Sequence, residues 1–334
     1  MSPERSFCAK QYNDTSHFCL RVQHLKTTRI TVCGNLTVDE LEDAGRLSVS
    51  PGGSALFTSS AASFLGARVG ILGNVGEDFP ESNLRFLETR GVNLRWVRKV
   101  RGPSTRFRIT QDKGSRRLSL LRRGAMIRTP RKVRSVQAIH LGPVFREISI
   151  PLAARLRTKC HFMSADLQGF IRRTSSNGLV RTERRNLNRL LKMCDMVQAS
   201  IEEAKSQVQS GNGGNLVDQL MGAGPTFCIL TLAKQGLILG IKPTRRYQIP
   251  AFPERHITDT TGAGDVLAGS WLVTYLSTRD PVWAAAVGSA FASLASRKTG
   301  LFKFHLARGE LMRRASWVYN NVKASQDKKA WSLV

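Results

Sequence analysis

Asp259-Thr260-Thr261-Gly262-Ala263-Gly264-Asp265 sets a carboxylate at the end of a glycine-rich turn that opens an apolar helical run. Gly262 and Gly264 permit positive φ and close backbone approach, and a helix starting near Asp265 offers unpaired N–H groups to an anion. Val266, Leu267, Trp271, Leu272 and Tyr275 recur at helical spacing, which predicts that helix. A carboxylate aimed at a polyphosphate repels its ligand unless it does chemistry. Asp265 is therefore expected to be a general base that accepts the proton of an attacking hydroxyl. Gly262, Ala263 and Gly264 are expected to present N–H groups to the charge developing on a transferred phosphoryl. Taken alone, a Gly-Ala-Gly-Asp string serves equally as a helix cap, and Asp259 as the start of a turn.

The seven-residue string as a whole resembles the C-terminal signature of the PfkB-type carbohydrate kinases, the ribokinase family. Other stretches follow in the same order. Gly34-Asn35-Leu36-Thr37-Val38-Asp39 follows the apolar run at 30–33. Pro51-Gly52-Gly53-Ser54-Ala55, Leu65-Gly66-Ala67-Arg68-Val69-Gly70 and Gly73-Asn74-Val75-Gly76-Glu77-Asp78 resemble the family's N-terminal signature, and Thr231-Leu232-Ala233-Lys234-Gln235-Gly236 its nucleotide-binding turn. The resemblance implies a ribokinase-like three-layer α/β/α sandwich with a mostly parallel central sheet and a small β lid. It implies ATP and magnesium as reactants and a sugar or polyol as acceptor, with the archaeal and plant sugar or myo-inositol kinases as one similar branch.

Residue by residue, the resemblance gives Asp39 a role toward substrate hydroxyls and puts Gly52 and Gly53 where backbone approaches the sugar. It sets Thr231, Gly236, Gly262 and Gly264 along the nucleotide. Asp259 and Thr261 match positions that border a monovalent cation in some relatives, so potassium is a further expectation. Glu203 resembles the final acid of the family's magnesium element, although Ser200 stands where that element has asparagine and Glu202 adjoins it. Phe57 stands where ribokinase itself carries an asparagine, which removes an amide able to grip a sugar hydroxyl. Asp166-Leu167-Gln168-Gly169-Phe170-Ile171-Arg172 supplies replacement polar groups, and Gln168 is the expected specificity residue; the bland alternative makes Asp166 a strand-end cap and Arg172 a surface charge.

Short apolar runs at 29–33, 68–73, 136–141, 161–165, 195–199, 226–231 and 236–241 alternate with helix-like segments at 54–65, 79–90, 183–193, 201–209 and 214–222, the pattern of a largely parallel sheet flanked by helices. Two more helices are expected over 265–298, divided near Thr278-Arg279-Asp280-Pro281. Residues 41–50 and 94–121 leave the alternation and are expected to build the lid, with a hairpin turn at Asp112-Lys113-Gly114-Ser115. Residues 1–27 read as a loose extension, 28–320 as the kinase domain and 321–334 as a tail.

Lys and Arg number 51 against 24 Asp and Glu, a formal net charge of +27. The arginine runs are dispersed, without a recognisable nucleic-acid module, so non-specific polyanion binding is expected and a dedicated nucleic-acid function is not. Six scattered cysteines show no zinc or disulfide spacing. No apolar run approaches membrane-spanning length and no secretory core is visible, so a cytoplasmic location is expected. By resemblance, a homodimer paired through the β lid is expected. Against the sugar or polyol kinase stand two alternatives: a nucleoside kinase of the same fold, and a catalytically silent polyanion-binding protein.

Overall fold

The computed structural model describes residues 28–43, 45–112, 115–128, 134–208 and 213–325. The expected N-terminal extension, the hairpin residues Lys113 and Gly114, and the tail beyond 325 lie outside them. Ten strands form the main sheet: β1 (Arg29–Cys33), β4 (Arg68–Val75), β5 (Asn93–Lys99), β8 (Val136–Leu141), β9 (Cys160–Asp166), β12 (Met196–Ser200), β13 (Phe227–Thr231), β14 (Leu237–Ile241), β15 (Arg245–Ile249) and β16 (Lys323–Ser325). Their order is β16-β15-β14-β13-β12-β9-β8-β1-β4-β5. From β5 to β13 every pairing is parallel, and β14, β15 and β16 add antiparallel.

Alternate residues of the strands feed two separate cores, as the period of two requires. Ile30, Val32, Phe227, Ile229, Leu237 and Leu239 face one cluster; Cys33, Cys228, Leu230 and Ile238 face the other. The first core is covered by α1 (Ser54–Phe64) and, later in the chain, by the long pair at Ala263–Thr278 and Pro281–Ala295 and by the helix Arg308–Asn320. The second is covered by α3 (Ile150–Arg157), α5 (Asn188–Met193), α6 (Ile201–Gln207) and α7 (Gly213–Gly222). Near the β4–β5 edge lies α2 (Glu81–Thr89), and a single turn, α4 (Gln168–Ile171), follows β9. The late helices are α8 (Ala263–Thr278), α9 (Pro281–Ala295) and α10 (Arg308–Asn320). The α8–α9 division falls where expected: Asp280 caps α9 by accepting from Val282 N and Trp283 N at 3.0 and 2.9 Å, and Pro281 sits in its first turn.

A second sheet of order β3-β2-β6-β7 is the lid, built from β2 (Thr37–Asp43), β3 (Arg46–Gly52), β6 (Thr105–Asp112) and β7 (Ser115–Arg122). Its root is fixed by the buried Glu147, which accepts from Asn35 N, Val144 N and Phe145 N at 3.2, 2.8 and 2.7 Å and so ties the loop after β1 to the loop after β8.

Several sequence expectations change. Residues 93–99 are not lid but the edge strand β5, because Trp96 packs on one core and Val97 on the other. The main sheet runs past 320, since Lys323–Ser325 pairs with β15. The helix expected over 183–193 is confined to Asn188–Met193, because Glu183 is drawn into a pair with Arg146 and its backbone N–H bonds Ile171 O. A small antiparallel pair, β10 (Arg172–Thr174) with β11 (Val180–Thr182), precedes it. Among the described residues, no helix is long and apolar enough to cross a membrane.

Candidate active site

Three parallel strands end close together: Asp166 closes β9 opposite Gln198, and two residues further along β12 Ser200 faces Thr231 at the end of β13. In parallel α/β sheets this C-terminal rim is where ligands bind. Here the rim, the lid and the start of α8 border a cleft of about 390 Å³ that is open to solvent on one side. Asp39, Gly53, Phe57, Gln168, Glu203, Thr231, Thr261, Gly262, Gly264 and Asp265 all line it, together with Asp166, Gln198, Arg116 and Arg172.

From the lid, β2 contributes Thr37 and Asp39, β6 contributes Phe107 and Ile109, and β7 contributes Arg116 and Leu118, all from one pleat face. Glu40, on the other face, pairs with Arg106 and Arg108 at 3.2 and 2.7 Å. Gly52 does not line the cavity. A Cβ there would lie 1.9 Å from Asp39 Oδ2, so its missing side chain makes room for the carboxylate. Gly53, at φ 97°, starts α1 at the cavity wall.

Across from Asp39, Gln168 Nε2 donates to Asp265 Oδ1 at 3.2 Å, while Gln168 Oε1 accepts from Arg172 Nη2 at 2.7 Å. Arg172 also donates to Val144 O at 3.0 Å and lies 5.8 Å over the Phe107 ring. Gln198 Nε2 bridges Asp166 Oδ2 and Gly264 O at 3.1 and 2.9 Å, fixing the glycine turn to the end of β9.

Burial pushes the Asp265 carboxyl up to about 6, with the Glu203 charge adding to it and Arg172 and Gln168 pulling against it. Asp39 is likewise pushed up to about 6 by burial, opposed by the Thr37 hydrogen bond and by Arg172 and Arg116, and reinforced by the charge of Asp265. Asp166 rises well above the ordinary carboxylate range by burial, with the charges of Glu203 and Asp265 adding to it. Carboxylates crowded this way call for a cation. Asp166 and Glu203 form a donor set of the kind that holds magnesium through one or two carboxylates plus substrate phosphates, and the buried Gln198 Oε1 beside them has no hydrogen-bond partner among the described residues. Glu203 also serves its own helix: Oε2 accepts from Ser200 N at 2.8 Å while Ser200 Oγ accepts from Glu203 N at 3.2 Å, the reciprocal cap of α6. Serine at 200 is thus employed as a helix cap.

Gly262 takes the left-handed conformation, φ 75°, as the residue before α8. A Cβ on it would lie 2.4 Å from the Phe57 ring, so Phe57 is the floor under the turn. One expected donor is already engaged: Ala263 N donates to Thr260 O at 3.1 Å and closes the turn, so Ala263 presents no N–H to a ligand. Gly264 and Asp265 keep first-turn N–H groups, for which a helix has no acceptor of its own. Gly236, expected along the nucleotide, does not line the cavity. Leu232 N bonds Gly236 O at 2.8 Å, folding the β13–β14 turn back on itself, and a Cβ on Gly236 would lie 2.1 Å from Ile249 O; Thr231 alone of that motif reaches the cavity.

Asp259 lies behind the turn. Its Oδ1 accepts from Thr261 N at 2.8 Å, and its Oδ2 lies 3.1 Å from Lys303 Nζ, on a side chain only 1 % exposed. Lys303 Nζ donates further to Asp259 O at 2.5 Å and Ala295 O at 3.4 Å. Burial pulls the lysine below its usual range, and the Asp259 charge opposes that pull. Thr261 Oγ1 accepts from the exposed Arg116 at 3.2 Å. Potassium does not fit beside Asp259, because a cation of the chain already stands there.

Lys303 and Gln198 were not legible as site residues. Neither belongs to a motif, and their positions follow only from the packing of the segment after α9 and from the β9–β12 register.

A cytidine kinase of Thermococcus kodakarensis is 24 % identical over 256 residues, which cover 74 % of this chain and 88 % of that protein. A pyrophosphate-dependent kinase in the ribokinase family, solved with sulfate and with a pyrophosphate analogue and myo-inositol, superposes with TM-scores of 0.73 and 0.71 at 21 % identity, covering 84 and 85 % of this chain and 99 % of that one. The ribokinase of Arabidopsis thaliana, complexed with ribose and ATP, gives 0.70 at 18 % identity over 86 % of this chain and 99 % of its own. The model of the pfkB family of carbohydrate kinases matches residues 23–303, so this chain, with its ribokinase-like fold, belongs to that family of phosphotransferases.

Proposed function

We propose that this chain transfers the terminal phosphoryl group of ATP to a hydroxyl of a small sugar or polyol, myo-inositol-like in its density of hydroxyls, in a single in-line step. The observation that carries this reading is that Asp39 and Asp265 line one cavity floored by the Gly262 turn. The acceptor oxygen forms the new P–O bond, the bond to the leaving ADP breaks, and the hydroxyl proton passes to Asp265. Gly264 and Asp265 N–H groups face the charge gathering on the transferred group. Asp39 accepts from acceptor hydroxyls, and Gln168, held between Asp265 and Arg172, orients the one that reacts. Asp166 and Glu203 would hold magnesium, which neutralises donor phosphate oxygens. The lid excludes water from the transfer.

A nucleoside acceptor is the second reading. It is favoured by the likeness to a cytidine kinase and by the apolar wall of Phe107, Ile109, Leu118 and Val144, against which a base would lie. Pairing of two copies through the lid is part of the first reading, since β3 is a sheet edge whose Leu47 and Val49 are 57 and 58 % exposed; light scattering at two concentrations checks it. Labelled ATP, or labelled pyrophosphate, is to be incubated with magnesium and a panel of sugars, inositols and nucleosides. A labelled polyol supports the first reading, a labelled nucleoside the second, and no product from any acceptor rejects both in favour of a silent polyanion binder.

A further inference from the structure

Lys303 is among the most completely buried side chains of the protein, and no part of the proposed reaction uses it. It belongs to the 3-10 turn Gly300–Phe304, after α9. All three ammonium protons have acceptors: Asp259 O, Asp259 Oδ2 and Ala295 O, at 2.5, 3.1 and 3.4 Å. Ala295 O is a carbonyl of the last turn of α9, where a positive charge is favoured. Asp259 in turn holds Thr261 N, and Thr258 N and Asp259 N both donate to Ser296 O, so these contacts together anchor the segment leading into the Gly262 turn. The next residue, Phe304, packs at 6.4 Å from Phe57, the ring beneath Gly262. The lysine therefore sits at the junction of both supports of the turn.

A carboxylate and backbone carbonyls converging on one point are the donor set of a potassium-sized ion, and an ammonium group is close to that ion in charge and size. We infer that Lys303 is the turn's own monovalent cation: its ammonium fills the place where a potassium ion would be held, positions the anion-binding turn, and makes the protein independent of added potassium. The inference rests on the reading of the Gly262 turn as an anion site, but its first test needs no turnover. Lys303 is a positioning residue, since it touches neither acceptor nor donor.

Wild-type crystals soaked in thallous acetate, with anomalous data collected, should show no thallium within 4 Å of the Asp259 carboxylate, and the melting temperature should not respond to replacing sodium by potassium. Thallium beside Asp259 in the wild type, or a melting temperature raised by potassium over sodium, would overturn the inference whether or not the chain is a kinase. In Lys303→Ala, thallium should enter the vacated place, and potassium or ammonium but not sodium should raise the melting temperature. Where phosphoryl transfer is detected, the wild-type rate should be equal in sodium and potassium. The variant should then lose about 100-fold in kcat and recover on the order of tenfold with potassium or ammonium. A folded variant with wild-type melting temperature and wild-type kcat in sodium would equally end the inference. If the variant does not fold, the wild-type thallium and melting measurements decide it.

Discussion

Gln168 Nε2 donates a 3.2 Å hydrogen bond to Asp265 Oδ1, and its own carbonyl oxygen accepts from Arg172, so the amide can present only its N–H to the carboxylate. That bond favours the ionised form of a carboxyl that burial has pushed up to about 6. A general base must be ionised, so kcat/KM should rise with pH up to about 6 and level off above 7. Gln168→Leu removes the donor. Its acidic limb should move to higher pH, and acceptor KM should rise by roughly tenfold, the cost of one lost buried partner. An unmoved limb in a pH–rate series would separate Gln168 from the base.

The same burial costs stability. The folded carboxyls of Asp265 and Asp39 titrate near 6, above the ordinary 3.8, so between about pH 4 and 6 the folded chain keeps protons that the unfolded chain has released. Stability is therefore lost as pH rises through that window, by roughly 3 kcal/mol for each such group. Ligand-free Asp265→Asn should melt about 4 °C above wild type at pH 7.5. The gap should close as the pH is lowered toward 4, and calorimetry at several pH values checks both statements.

Gly52 offers a test of Asp39 that leaves its charge in place. A Cβ at 52 falls 1.9 Å from Asp39 Oδ2, so Gly52→Ala must displace the carboxylate. The expected outcome is an acceptor KM raised about tenfold or more, with donor KM within about twofold of wild type, because a displaced binding group acts on one substrate only. Equal effects on both substrates in steady-state kinetics would point to general damage instead.

Glu203→Gln removes a charge beside Asp166 and Asp265 but keeps an oxygen able to accept from Ser200 N. The concentration of magnesium giving half-maximal rate should rise by about tenfold to 100-fold, while the melting temperature stays near that of wild type because the α6 cap survives. Magnesium titrations together with a melting curve separate the two roles.

Legibility in the sequence follows the range of the interactions involved. The glycine turn and the helix after it are local, and Asp259–Asp265 announced both. The parallel core was readable because its strands are buried on both faces and run apolar through 136–141 and 226–231. The lid was only half readable: β2 carries Asp39 and Glu40 at adjacent positions, one toward the cavity and one toward Arg106 and Arg108, and such a polar strand has no apolar signature. Strand β5, rich in arginine, reads as lid in the sequence because its burial depends on neighbours distant along the chain. Ala263 was expected to donate to a ligand, yet the turn consumes its N–H, a detail set by one dihedral at Gly262. Lys303 was silent because a lysine among Phe and Leu reads as surface until the fold brings it under Asp259.

The most direct test of the account is the single-turnover rate of Asp265→Asn, measured alongside donor affinity by calorimetry with the acceptor identified in the panel. An aspartate that takes the hydroxyl proton predicts a loss of about two to four powers of ten in rate with donor affinity nearly unchanged. Turnover within a few-fold of wild type, with donor still bound, would contradict it.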